Sequence, residues 1–116
     1  MPKRTKPDHI LSKLITEFEE QGQLQNREFC EEAYYLRLIQ YYERHFQLDK
    51  ALNLVDQALL LYMYKQDFYL IKSKLLMATL RPADALEVLD QVYAISPMNQ
   101  DIPLLRARAH ALMCHY

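Results

Sequence analysis

The chain has 116 residues, a net charge of −1, one glycine, no tryptophan and two cysteines. That length suits one domain with a hydrophobic core of its own, without a disulfide framework. The balanced charge gives no global pull toward nucleic acid or lipid, and the scarcity of glycine argues against β-hairpins and phosphate-cradling loops.

Residues 1–7 hold two prolines and the cations Lys3, Arg4 and Lys6, and read as a disordered lead-in; the alternative is a nucleic-acid arm, as part of a larger regulatory protein. Asp8 is the expected N-cap of an added N-terminal helix over residues 8–22. Ile10, Leu11, Leu14, Ile15 and Phe18 share its apolar face, and Gly22 stops it. After a polar link at residues 23–26, a long helical pattern runs over 27–45. Phe29, Ala33, Leu36, Ile39, Gln40 and Glu43 mark one side of it; Tyr35, Leu38, Ile39 and Tyr42 mark an adjacent stripe. Phe46 to Leu48 turn a corner into a helix over 49–62, with Leu52, Val55, Ala58 and Leu59 inward. Asp67 caps a fourth helix that runs to residue 79. Pro82 suits the first turn of a fifth, which carries Leu86, Leu89, Val92 and Tyr93 and stops before Pro97. Residues 96–100 form a turn, and Asp101 opens the last helix. About six helices with links this short pack as antiparallel hairpins.

The chain also repeats itself. ALNLVDQ at residues 51–57 returns as ALEVLDQ at 85–91, and Tyr35-Leu36 returns as Tyr69-Leu70. LIKSK at 70–74 returns as LLRAR at 104–108. All three matches share one period of about 34 residues, the length of a helix–turn–helix unit in repeat proteins.

With these residues the chain resembles the tetratricopeptide repeat family. The aromatic early in the first helix is matched by Tyr35 and Tyr69. The small residue at the helix crossing is matched by Ser73 and Ala107. The alanines of the second helix are matched by Ala51, Ala85 and Ala58, and the closing proline by Pro97. The chain departs from the pattern at Ile39, Val92 and Met63, and carries Phe46 and Leu80 where the family has a corner glycine. The resemblance implies an all-α fold: a right-handed α-solenoid of antiparallel helix hairpins over residues 27–116. Its units would cover 32–65, 66–99 and a terminal half-unit, 100–116.

The widely spaced Cys30 and Cys114 point to a reducing cytoplasm, and the resemblance also implies a protein–protein interaction module without cofactors. Its concave groove would be lined by Leu36, Gln40 and Glu43, then Leu70, Lys74 and Met77, then Leu104 and Arg108. Lys74 and Arg108 would give an edge for an acidic flank of a peptide or protein partner. The leucines of this ladder read equally well as core. Paired lysine and asparagine groups hold a terminal carboxylate in chaperone-binding members; Leu36 and Gln40 stand in that stretch, which argues against that role.

The last helix is apolar over a wide arc. Leu105, Leu112 and Met113 are candidates for an end-face interface, either in a homodimer or toward a continuation of the array. No catalytic motif is present, and the chain does not read as an enzyme. Glu19-Glu20 and Glu31-Glu32 are sequence neighbours that point roughly 100° apart on a helix, so they form no acid–base couple. His110 and Cys114 could supply half of a zinc site, but His9, His45 and His115 offer no matching pair, so no metal is expected. Only Arg37 and Arg44 interleave with the tyrosines, which favours packing over base stacking and argues against nucleic acid. No run approaches the ~20 apolar residues of a membrane span, and no secretory signal follows the basic N-terminus.

Overall fold

The computed structural model describes residues 5–24 and 31–114, the side chains of 5–8 excepted. Every regular element among them is helical: α1 (Thr5–Gln21), α2 (Glu32–Arg44), α3 (Leu48–Leu61), α4 (Gln66–Ala78), α5 (Pro82–Ile95) and α6 (Asp101–Met113). The architecture is all-α and repeat-like. Helix α4 starts and ends one repeat period after α2, and α5 does the same after α3. The buried positions keep that register. In α3 they are Ala51, Leu54, Val55 and Ala58; in α5 they are Ala85, Val88, Leu89 and Val92. Both sets follow the spacing of one helix face.

The chain divides into two compact units, Met1–Leu54 and Val55–Tyr116, with the boundary inside α3. In the first unit α1 packs on α2. Its core holds Leu14 and Phe18 from α1 and Tyr35, Leu38, Ile39 and Tyr42 from α2. The Phe18 and Tyr42 rings meet at 5.6 Å with a tilt of 55°, a favourable offset geometry. In the second unit α4 packs on α5, α5 packs on α6, and α4 also touches α6. Phe68, Leu75, Leu76, Leu89, Val92, Ile102 and Leu105 fill its core, with Ser73 as the buried polar residue. The short links make α4 and α5 antiparallel, and likewise α5 and α6, so α4 and α6 run the same way.

The corners repeat too. Phe46 and Leu80 are equivalent positions of successive units, and both adopt left-handed backbone, with φ of 58° and 62°. After α2, the Gln47 N–H bonds Tyr42 O and the Phe46 N–H bonds Glu43 O. After α4, the Arg81 N–H bonds Leu76 O and the Leu80 N–H bonds Met77 O. This is one helix-ending motif used twice, in a conformation that favours glycine.

Several expected boundaries move. Helix α1 starts at Thr5, so Asp8 lies within it. Pro7 sits in the first turn, where a missing N–H leaves nothing unpaired. Gly22 does end this helix, with φ of 75° and its N–H on Phe18 O. Helix α2 starts at Glu32; residues 27–30 lie outside the described residues, as do 1–4. Asp67 falls in the first turn of α4, and Lys65 takes the cap position without a side-chain bond. At α6 the Asp101 N–H donates to Asn99 Oδ1 at 2.8 Å. Asn99 therefore anchors the helix start, as its short amide favours. Pro82 occupies the first turn of α5 as expected. Leu52, Leu59 and Leu86 are only half-buried and Tyr93 is exposed, because the core stripe runs through Leu54 and Val88 instead.

Candidate partner-binding face

In the second unit α4 and α6 lie side by side on α5, so equivalent residues on them form rows, one period apart in the sequence. One row runs along the seams between successive helices. Lys72 on α4 meets Asp56 on α3 at 2.8 Å, and Arg106 on α6 meets Asp90 on α5 at 2.9 Å. The two cations are repeat equivalents, and so are the two aspartates, so the ion pair itself is part of the repeat. Arg106 also lies over the Tyr93 ring at 5.0 Å.

Two residues further along each helix stand Lys74 and Arg108. Two residues turn a helix by about 200°, so these cations point almost opposite to the paired ones. Both are exposed. Among the described residues neither forms an ion pair. One turn back, Leu104 is 69% exposed on α6, whereas Leu70 on α4 is only 7% exposed. Ala78, Ala107 and Ala111 are exposed. Asp67 and Asp101, seven residues before Lys74 and Arg108, are exposed on the same helical faces.

Of the other residues expected to line a groove, Met77 is buried, at 5%. Leu70 and Met77 thus belong mainly to the core, because the α4 face that meets its neighbours is wider than the α6 face. In the first unit Gln40 is exposed, and Leu36 and Glu43 are half-buried. Of the expected end face, Leu105 is 3% exposed and is a core residue of the second unit. Leu112 is half-buried and Met113 is exposed. Leu105 turns inward because it shares one helix face with Ile102 and Ala109, and that face is the buried one.

The first unit contains a polar cluster that local spacing could not reveal. The Tyr42 hydroxyl donates to Glu19 Oε2 at 2.7 Å, and Lys50 Nζ reaches both carboxylate oxygens at 2.8 and 3.1 Å. The bond from Lys50, then that from Tyr42, holds the Glu19 carboxyl below its ordinary range. Burial first, and the Glu19 bond second, push the Tyr42 hydroxyl up. Glu19 is thus a structural anchor, joining α1 to α2 and to the start of α3.

An open pocket between α4 and α5 is lined by Lys72, Leu76, Arg81, Asp84, Glu87 and Val88. Its cations are already engaged, Lys72 by Asp56 and Arg81 by Asp84. Among the described residues no three His, Cys, Asp or Glu side chains converge to hold a metal, and Cys114 is a free, exposed thiol. Nor, among them, is any helix long and apolar enough to cross a membrane. Lys3 and Arg4, the basic arm weighed for nucleic acid, lie outside the described residues, as does the side chain of Lys6.

No protein-family model matches the chain, and no curated protein and no solved structure matches it.

Proposed function

We propose that this chain is a non-catalytic interaction module of the tetratricopeptide kind, acting in the cytoplasm and binding a peptide or protein on the first-helix faces of its repeats. The observation that carries this is the exposed Leu104 beside Ala107 and Ala111, on a helix whose opposite side is committed to the core and to the Asp90 pair. A large apolar side chain next to small ones forms a shallow strip. Such a strip accepts an apolar anchor from an extended or helical segment.

The test is a display selection of random peptides of about twelve residues on the intact chain. Recovery of binders that Leu104→Asp no longer holds supports the reading. Failure to enrich any peptide, or binders indifferent to Leu104→Asp, overturns it. The substitution is at an exposed position, so circular dichroism should show an unchanged fold.

A further inference from the structure

We infer that the α4–α6 face of the second unit selects an acidic partner, with carboxylates against Lys74 and Arg108 and an apolar residue on Leu104; this rests on the peptide-binding reading above. The argument is a contrast within one repeat. Four cations occupy two equivalent rows on α4 and α6. The row of Lys72 and Arg106 is neutralised within the chain, each member by an aspartate of the preceding helix. The row of Lys74 and Arg108 is exposed and has no ion partner among the described residues. Folding therefore uses the first row and leaves the second open to an incoming anion. Two cations on adjacent parallel helices meet carboxylates on one segment crossing both, and Arg108 adds a planar fork suited to a carboxylate.

The same face also carries a polarity. Asp67 and Asp101 stand seven residues earlier, about 10 Å along each helix. Three rows thus follow one another: acidic, then apolar where Leu104 is exposed, then basic. A uniformly anionic segment lying over all three would meet like charge at the first row. The partner that fits has its acidic residues on one flank of an apolar anchor, over the α4 and α6 C-terminal halves. The aspartates act against the reversed orientation, which supplies specificity through repulsion.

The experiment compares peptide selections on the wild type and on Lys74→Glu/Arg108→Glu. The expected result is wild-type binders enriched in Asp and Glu on one side of an apolar residue. Their affinity should fall by about tenfold or more on charge reversal, and weaken with added salt. Lys74→Gln/Arg108→Gln, which adds no repulsion, should give an intermediate loss and serves if the reversed pair folds poorly. Asp67→Asn/Asp101→Asn should admit peptides acidic on both flanks. Binders without acidic enrichment, or binders whose affinity ignores the Lys74 and Arg108 substitutions, overturn the acidic selection and leave peptide binding standing. No enriched peptide on any variant overturns both.

Discussion

Phe46 and Leu80 hold a backbone conformation that costs a residue with a Cβ roughly 1–2 kcal/mol. Neither recovers this by burial, since their side chains are 86% and 69% exposed. Replacing Leu80 by glycine removes the strain but loosens the unfolded chain by roughly 0.5–1 kcal/mol. The net expectation for Leu80→Gly, and for Phe46→Gly, is stabilisation by about 0.5–1 kcal/mol, read by denaturant or thermal melts. Leu80→Ala keeps the Cβ and should give much less. A loss of stability in the glycine variants would mean that the exposed side chains pack in solution. The missing corner glycines were legible in the sequence; that the corners keep the glycine geometry without the glycine was not. Glu19 shows the opposite limit. Its partners Tyr42 and Lys50 lie 23 and 31 residues away, so no spacing rule could find them. Its depressed carboxyl has a defined pH signature. A carboxyl lowered by folding adds stability above its unfolded value, about 4.3, and loses that contribution as pH falls through the folded value. The melting-temperature gap between wild type and Glu19→Gln should therefore be constant near neutrality, and shrink and close only as pH falls below the ordinary carboxyl range and through the lowered folded value. A gap that persists in strong acid would show that the charge is not what holds the cluster. Tyr42→Phe keeps the ring contacts with Phe18 and removes the hydroxyl bond, an expected loss of about 1 kcal/mol.

At the scale of elements, the period read from three short sequence matches governs helix bounds, buried registers, corner geometry and ion pairs alike. The cause is physical: each hairpin must bury the same stripe against the same kinds of neighbour, so one solution recurs. Interior positions were therefore legible, and Ala51, Ala58, Ala85, Leu89 and Val92 lie where the spacing places them. Helix starts were less so. Asp8 and Asp67 look like caps, yet the helices begin before them, because an aspartate in the first turn is also favoured by the backbone dipole. The groove leucines were ambiguous for a related reason. Leu70 and Leu104 are sequence equivalents, but α4 buries a wider face than α6, so the first is buried and the second is not. Ser73 offers the clearest test of the packing. It is fully buried, its hydroxyl bonds Leu70 O at 2.8 Å, and it stands on α4, which packs on both α5 and α6. Ser73→Ala loses only that local bond and should cost less than about 1 kcal/mol. Ser73→Leu forces extra volume into a closed contact and should cost about 1–3 kcal/mol or more. Equal effects of the two in urea melts would mean that the site is loosely packed. The repeated ion pairs should contribute little to stability, since exposed pairs are typically worth about 0–1 kcal/mol.

For the whole molecule, the open question raised by the sequence is whether the apolar last helix makes a dimer. The side chains weigh against a dimer more than the composition does. Leu105, the strongest apolar candidate for an end face, is inside the second unit. The large apolar side chains still exposed on α6 are Leu104 and Met113. They are nine residues apart, which places them about half a turn out of phase, on opposite sides of the helix. The exposed apolar surface of α6 is therefore the narrow strip of Leu104, Ala107 and Ala111 plus an isolated Met113 on the other side, whereas a stable dimer needs about 800 Å² of well-packed surface from each partner. The expected outcome of light scattering coupled to size exclusion is a mass of 13.9 kDa that does not change on dilution. Leu105→Asp should unfold the second unit, since it buries an unpaired charge, whereas Met113→Glu should change neither fold nor mass. A doubled mass that survives dilution would overturn this. If Met113→Glu then abolished it, the interface would lie at the end of α6. If it did not, the exposed run Leu60, Leu61, Met63 and Tyr64 beyond the core stripe of α3 would be the surface to alter next. A monomer leaves the first-helix face free in solution, which is the condition that binding an acidic segment at Lys74 and Arg108 requires.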